Sequence, residues 1–164
     1  MSKFGFKKSL IALLALCIVL ALGYFFLIST QTKPSDTTIK FDHRFRLAEY
    51  EISVILAEKP EEKSRGLSGF PSLKEDQGML FDFTGQNLMP TFWMKDMLFS
   101  IDIVWISQGK VTGFEEYIPK PFSNNDADLK LYTSPTIVDY VLELPAGWVR
   151  RHSAKKGSGA ILIN

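Results

Sequence analysis

Cysteine is nearly missing from this chain: Cys17 is the only one among 164 residues, and it lies in an apolar run near the N-terminus. Everything after that run therefore folds without disulfides or thiol chemistry, and apolar packing alone must hold it. Histidine is almost as scarce. His43 and His152 are far apart, and neither has a partner at metal-ligand spacing, so no metal and no cofactor is expected. An excess of one charge is also lacking. The formal net charge is +1, and setting aside Lys3, Lys7 and Lys8 leaves 16 basic against 18 acidic residues, or −2. That surface has no nucleic-acid footprint, and no nucleic-acid partner is expected. No serine stands in a Gly-x-Ser-x-Gly elbow, because Gly66-Leu67-Ser68-Gly69 is too short for one, and no phosphate-binding glycine loop occurs. Internal repeats and low-complexity tracts are missing as well.

One long apolar stretch is present. Leu10 to Ile28 is uncharged, and at about 1.5 Å per residue it spans roughly 28 Å as a helix, close to a hydrocarbon core of about 30 Å. A cleaved signal peptide needs a shorter apolar core, and Tyr24-Phe25-Phe26-Leu27-Ile28 continues past the one plausible cut at Ala21-Leu22-Gly23. A lipoprotein signal needs a small residue before Cys17, where Leu16 stands. The run is not amphipathic, which argues against a buried soluble helix. It reads as an uncleaved transmembrane signal anchor, with residues 1–9 held in the cytoplasm by the three lysines and the remainder outside. The expected location is the cytoplasmic membrane, single-pass, with an extracytoplasmic C-terminal domain. Residues 29–38 are a polar linker with one proline, and residues 39–164 form the folded domain.

The domain reads mainly as short strands: Glu51–Ala57, Gly78–Phe83, Ser100–Ile106, Val111–Tyr117, Leu129–Tyr132, Asp139–Leu144 and Ala160–Ile163. Pro60 to Arg65 reads as a short helix, with proline at its start, acids in its first turn and Gly66 to stop it. Ala146 to His152 reads as a second. Such spacing predicts a mainly β, compact β-sandwich or barrel-like domain with one or two short helices. Pro119 to Asp128 is the longest expected loop.

The densest chemistry lies in Thr91-Phe92-Trp93-Met94-Lys95-Asp96-Met97, followed by Ile101-Asp102-Ile103-Val104-Trp105. Charges set among so many apolar residues must be paired, hydrogen-bonded or functional. With Arg65-Gly66-Leu67, Gly78-Met79-Leu80-Phe81 and Tyr140-Val141-Leu142-Glu143-Leu144-Pro145-Ala146-Gly147, these segments occur in an order that resembles the DUF192 family, also called UPF0127, of bacteria and archaea. The resemblance covers roughly Ile52 to Ile163. It implies a compact, mainly-β domain, often behind a signal peptide or membrane anchor, and it brings no established activity and no catalytic residues. Two departures stand out. Met97-Leu98-Phe99-Ser100 replaces a threonine and an apolar-proline pair, and Gly157-Ser158-Gly159 lacks the Gly-Asp often found near the end.

The ligand-binding candidates are Arg65, Trp93, Met94, Lys95, Asp96, Asp102, Trp105 and Glu143. Asp102 either locks a turn by pairing with Lys95 or Arg65, or faces a ligand. Asp96 reads as a turn cap. Phe92, Trp93, Phe99 and Trp105 read as core, with an apolar or sugar-stacking groove as the other reading. Asp126 and Asp128 resemble only the start of a calcium loop, without its glycine or distal glutamate, and read as solvated. Trp148, beside Arg150 and Arg151, either packs inward or touches anionic headgroups. Two functions stay open. The first is a membrane-tethered binding or accessory module of the cell envelope for an unknown small ligand or envelope protein. The second is an envelope hydrolase using Asp96, Asp102 or Glu143 as acid or base.

Overall fold

The computed structural model describes residues 40–163, and Ile39–Asn164 form one compact unit. The expected anchor and linker, residues 10–28 and 29–38, lie outside the described residues. Among the described residues, no helix is long and apolar enough to cross a membrane.

The chain order is β1 (His43–Leu47), β2 (Tyr50–Ala57), α1 (Pro60–Arg65), β3 (Gln77–Asp82), β4 (Thr91–Phe92), β5 (Ile101–Ser107), β6 (Lys110–Ile118), a 3-10 turn (Asp126–Asp128), β7 (Tyr132–Thr133), β8 (Tyr140–Pro145), α2 (Trp148–Arg151) and β9 (Ala160–Ile163). Seven strands form one mixed sheet in the order β6-β5-β8-β3-β2-β1-β9, and β4 pairs with β7 alone. Only β2 and β3 run parallel, joined through α1. Instead of facing a second large sheet, this one curls on itself, so the architecture is barrel-like and not a sandwich. Its two edges meet at one end: Val111 N–H donates to the Ser158 carbonyl at 2.9 Å, Gly157 N–H to the Val111 carbonyl at 2.8 Å and Ala160 N–H to the Gly109 carbonyl at 2.9 Å. Pairing the edges removes strand rims that would otherwise be open to aggregation.

Strand β1 was not expected from the sequence. Its apolar Phe45 and Leu47 point inward, while Arg44 and Arg46 point outward and share Glu51 across the β1–β2 hairpin at 3.3 and 2.8 Å. The expected strand Leu129–Tyr132 shrinks to the two-residue β7, and the second helix to Trp148–Arg151. Helix α1 forms as expected. Glu62 reaches back so that one carboxylate oxygen accepts the N–H groups of Glu58 and Lys59, both at 3.1 Å, and Gly66 turns the chain out at φ +52°.

Both faces of the sheet are buried. The concave face holds Phe45, Leu47, Ile52, Val54, Leu80, Val104, Ile106, Leu142 and Leu144, plugged by Trp148 and Val149 of α2. The convex face holds Met79, Phe81, Ile101, Ile103, Trp105 and Val141, covered by Leu67, Met94, Met97 and Tyr132 from the long connections. Alternation along β5 and β8 sends Asp102 to the concave face with Val104, and Glu143 to the convex face with Val141. The two acids therefore lie on opposite sides of one sheet.

Candidate functional site

The convex side carries a cavity of about 280 Å³. The sheet supplies its floor through Phe81 and Glu143. Lys63, Ser64 and Arg65 of α1 form one side, and Pro90 to Trp93 form the other. Two bonds clamp these sides together: Ser68 Oγ–H donates to the Lys95 carbonyl at 2.8 Å, and Gly69 N–H to the Asp96 carbonyl at 3.0 Å. The walls are aromatic. Phe92 meets Phe81 edge to face at 4.9 Å between centroids, Phe83 at 6.3 Å and Trp105 at 5.8 Å.

Glu143 is 4% exposed, and its Oε2 has no hydrogen-bond partner. Its cross-strand neighbours are Met79 and Ile103, both apolar. Removal from water without a compensating cation pushes its carboxyl up to about 8, so the group is largely protonated at neutral pH. A buried polar atom without a partner is uncommon and calls for an explanation. Here the explanation offered by the geometry is the cavity that Glu143 lines.

The structure sorts the eight sequence candidates. Arg65, Trp93 and Glu143 line the cavity. Trp105 stands behind Phe92, 1% exposed, as part of the supporting core. Met94 is buried beside a second cavity of about 260 Å³ that it shares with Phe122 and Tyr132. Lys95 pairs with Asp126 at 2.6 Å, and that bond raises its pKa. Asp96 sits exposed in a turn at φ +56°, tied through its backbone rather than by its carboxylate.

Asp102 differs from the expected ion pair. Among the described residues, no cation forms an ion pair with it. It is fully buried and accepts three backbone N–H bonds: Tyr117 and Gly147 to Oδ1, both at 2.8 Å, and Val149 to Oδ2 at 2.9 Å. Tyr117 and Gly147 both have positive φ, +55° and +79°, so this carboxylate holds two left-handed turns in register. Trp148 packs inward, 1% exposed, with its indole N–H on the Glu75 carbonyl at 3.0 Å. Arg151 is bound by Glu75 through two bonds, at 2.9 and 2.8 Å. Of the aromatics read as core, Trp93 is the exception, 43% exposed at the cavity mouth.

Lys63, Phe81 and Phe83 were not among the sequence candidates. The signal for the two phenylalanines was available: Met79, Leu80 and Phe81 leave β3 apolar on both faces, which means a layer on each side. Among the described residues, no group of three or more His, Cys, Asp or Glu is placed to hold a metal ion.

The model of the DUF192 family, described as Uncharacterized ACR, matches residues 43–160. Two solved structures share the fold at a TM-score of 0.64. One is a protein of unknown function from Novosphingobium aromaticivorans, 21% identical, aligned over 72% of this chain and 83% of its own. The other, from Sinorhizobium meliloti and named as a "putative transcription regulator", is 29% identical over 73% of this chain and 92% of its own. No curated protein matches.

Proposed function

The chain belongs to the DUF192 family, and on that premise we propose that its folded domain is a binding module of the cell envelope whose site for a small ligand is the Glu143 cavity. One observation carries the reading: a buried carboxyl with an unpartnered oxygen lines an aromatic cavity. Convergent polar groups in an apolar pocket are the usual form of a ligand site. A ligand that hydrogen-bonds Glu143 removes the cost of leaving that group unpaired. The apolar run Leu10–Ile28 behind three lysines supports a membrane tether with the domain outside.

The test is a fragment screen on the full-length protein, followed by the NMR signals of Trp93 and Phe92. Binders should shift those signals, and Ser64→Trp, which fills the cavity mouth from an exposed helix position, should abolish the shifts. Binding that survives Ser64→Trp contradicts the assignment. A protease-accessible C-terminal tag on the outer face of the membrane checks the topology, and protection of the tag would overturn it.

The second reading is a hydrolase with Glu143 as proton donor. A carboxyl that keeps its proton to about pH 8 favours it. A paired-carboxylate mechanism needs a second acid about 5–9.5 Å away, and among the described residues Glu143 is the only acid lining the cavity. Asp102 is spent on the far face of the sheet.

A further inference from the structure

Resting on the reading that this cavity takes a small ligand, the geometry points to the class of that ligand: a small aromatic carboxylic acid, its ring against Phe92 and Trp93 over Phe81, its carboxylate at Lys63 and Arg65, and its far end offering an acceptor to Glu143.

The charge at the mouth decides the sign. Lys63 and Arg65 both line the cavity, and neither is in an ion pair among the described residues. Lys95 and Lys59, by contrast, are paired, Lys95 with Asp126 at 2.6 Å and Lys59 with Glu62 at 3.3 Å. Glu143, the only acid in the lining among the described residues, holds its proton at neutral pH. The lining therefore presents two positive charges outside any ion pair above an uncharged floor. Such a mouth attracts anions and repels cations. An aromatic cage over a carboxylate would otherwise suit an ammonium ligand. Here Lys63 Nζ already sits 4.6 Å from the centre of the Phe83 ring, filling that position with the protein's own cation.

The walls decide the body of the ligand. Phe81 and Phe92 present an edge-to-face pair, and Trp93 leaves part of its ring open at the mouth. A third ring gains both burial and the directional preference of aromatic pairs. The floor decides the far end. A protonated carboxyl donates one hydrogen bond, so the ligand must place an oxygen there. At about 280 Å³ the cavity lies just under the usual range for drug-sized ligands of about 300–1,000 Å³, which limits the ligand to about one ring with short substituents.

The probe that meets all three conditions is 4-hydroxyphenylacetate. Its controls are tyramine, with the same ring and a cationic end, and 4-hydroxyphenylacetamide, which is neutral. Binding is read by Trp93 and Phe92 resonances and by calorimetry on the full-length protein. The acid should bind at least about tenfold more tightly than either control, and Lys63→Ala with Arg65→Ala should remove that preference. Raising the pH from 7 to 9 should weaken the acid about tenfold as Glu143 ionises. Glu143→Gln keeps a donor at every pH and should hold the affinity level. Tyramine or the amide binding as tightly as the acid would overturn the ligand class while leaving the cavity as a binding site. Silence from all three at millimolar concentration would also overturn the class, and the Ser64→Trp fragment screen then judges the cavity separately.

Discussion

Replacing Asp102 by asparagine exchanges one carboxylate oxygen for an amide NH2 and should cost this fold a large part of its stability. The carboxylate accepts Tyr117 N–H and Gly147 N–H at Oδ1 and Val149 N–H at Oδ2. Asparagine can keep its oxygen toward the first two donors. Its amide nitrogen then faces Val149 N–H, donor against donor, where the oxygen stood at 2.9 Å. The lost bond to a charged acceptor is worth about 1.5–3 kcal/mol, and the two retained bonds weaken by about 0.5–1 kcal/mol each when the acceptor becomes neutral. The sum is about 2.5–5 kcal/mol. Flipping the amide does not help, because it orphans two donors instead of one. Small domains have about 5–15 kcal/mol in all, so the loss should show as a large drop in the urea midpoint of the full-length protein at pH 7, with the slope unchanged. The damage should be greatest at Tyr117 and Gly147, whose positive φ the carboxylate maintains, and the resonances of both turns should broaden. A midpoint shift equivalent to less than about 1 kcal/mol would refute the role assigned to Asp102.

Three further outcomes are expected. Glu143 binds its proton more tightly in the folded state than in the unfolded chain, so its own contribution to stability is fully present below about pH 4.5 and is lost as pH rises to about 8, by about 1.4 kcal/mol per unit and about 5 kcal/mol in total; urea titrations of wild type minus Glu143→Gln isolate this slope, and parallel curves would contradict it. Trp93→Ala should cost about 1 kcal/mol or less, because the ring is 43% exposed, against about 3–5 kcal/mol for a buried ring; thermal unfolding separates the two. Gly78→Ala should destabilise by about 1–3 kcal/mol, since its new methyl would stand 2.8 Å from the Glu143 carbonyl, a backbone atom of β8 that cannot yield.

Much of the fold is legible in the sequence because its elements follow local rules. Pro60, Glu61, Glu62 and Gly66 mark α1 from end to end, and the strong strands β2, β5 and β8 follow β-branched and apolar runs. Strand β1 was missed although Phe45 and Leu47 alternate with Arg44 and Arg46, because the pattern is short and lies beside the polar linker. The site was less legible. Asp102 and Glu143 both stood out as acids in apolar strands, but only the sheet register shows that they face opposite ways. The partners of Asp102 are backbone N–H groups brought from Tyr117, Gly147 and Val149 by tertiary structure, and backbone donors leave no mark on composition. Lys63 is, from the sequence, only one residue of the short helix Pro60–Arg65. It joins the site because α1, the crossover between the paired parallel strands β2 and β3, lies across the cavity from the 90–97 segment.

The most direct measurement is the carboxyl carbon titration of Glu143, followed by NMR in selectively labelled full-length protein and assigned with Glu143→Gln. A midpoint near 8 is expected, well above the ordinary glutamate value of 4.5, and it should move higher when a ligand in the cavity accepts a hydrogen bond from the Glu143 carboxyl. A midpoint near 4.5 would mean that the carboxylate is solvated or paired, and the neutral floor on which the proposed site depends would not exist.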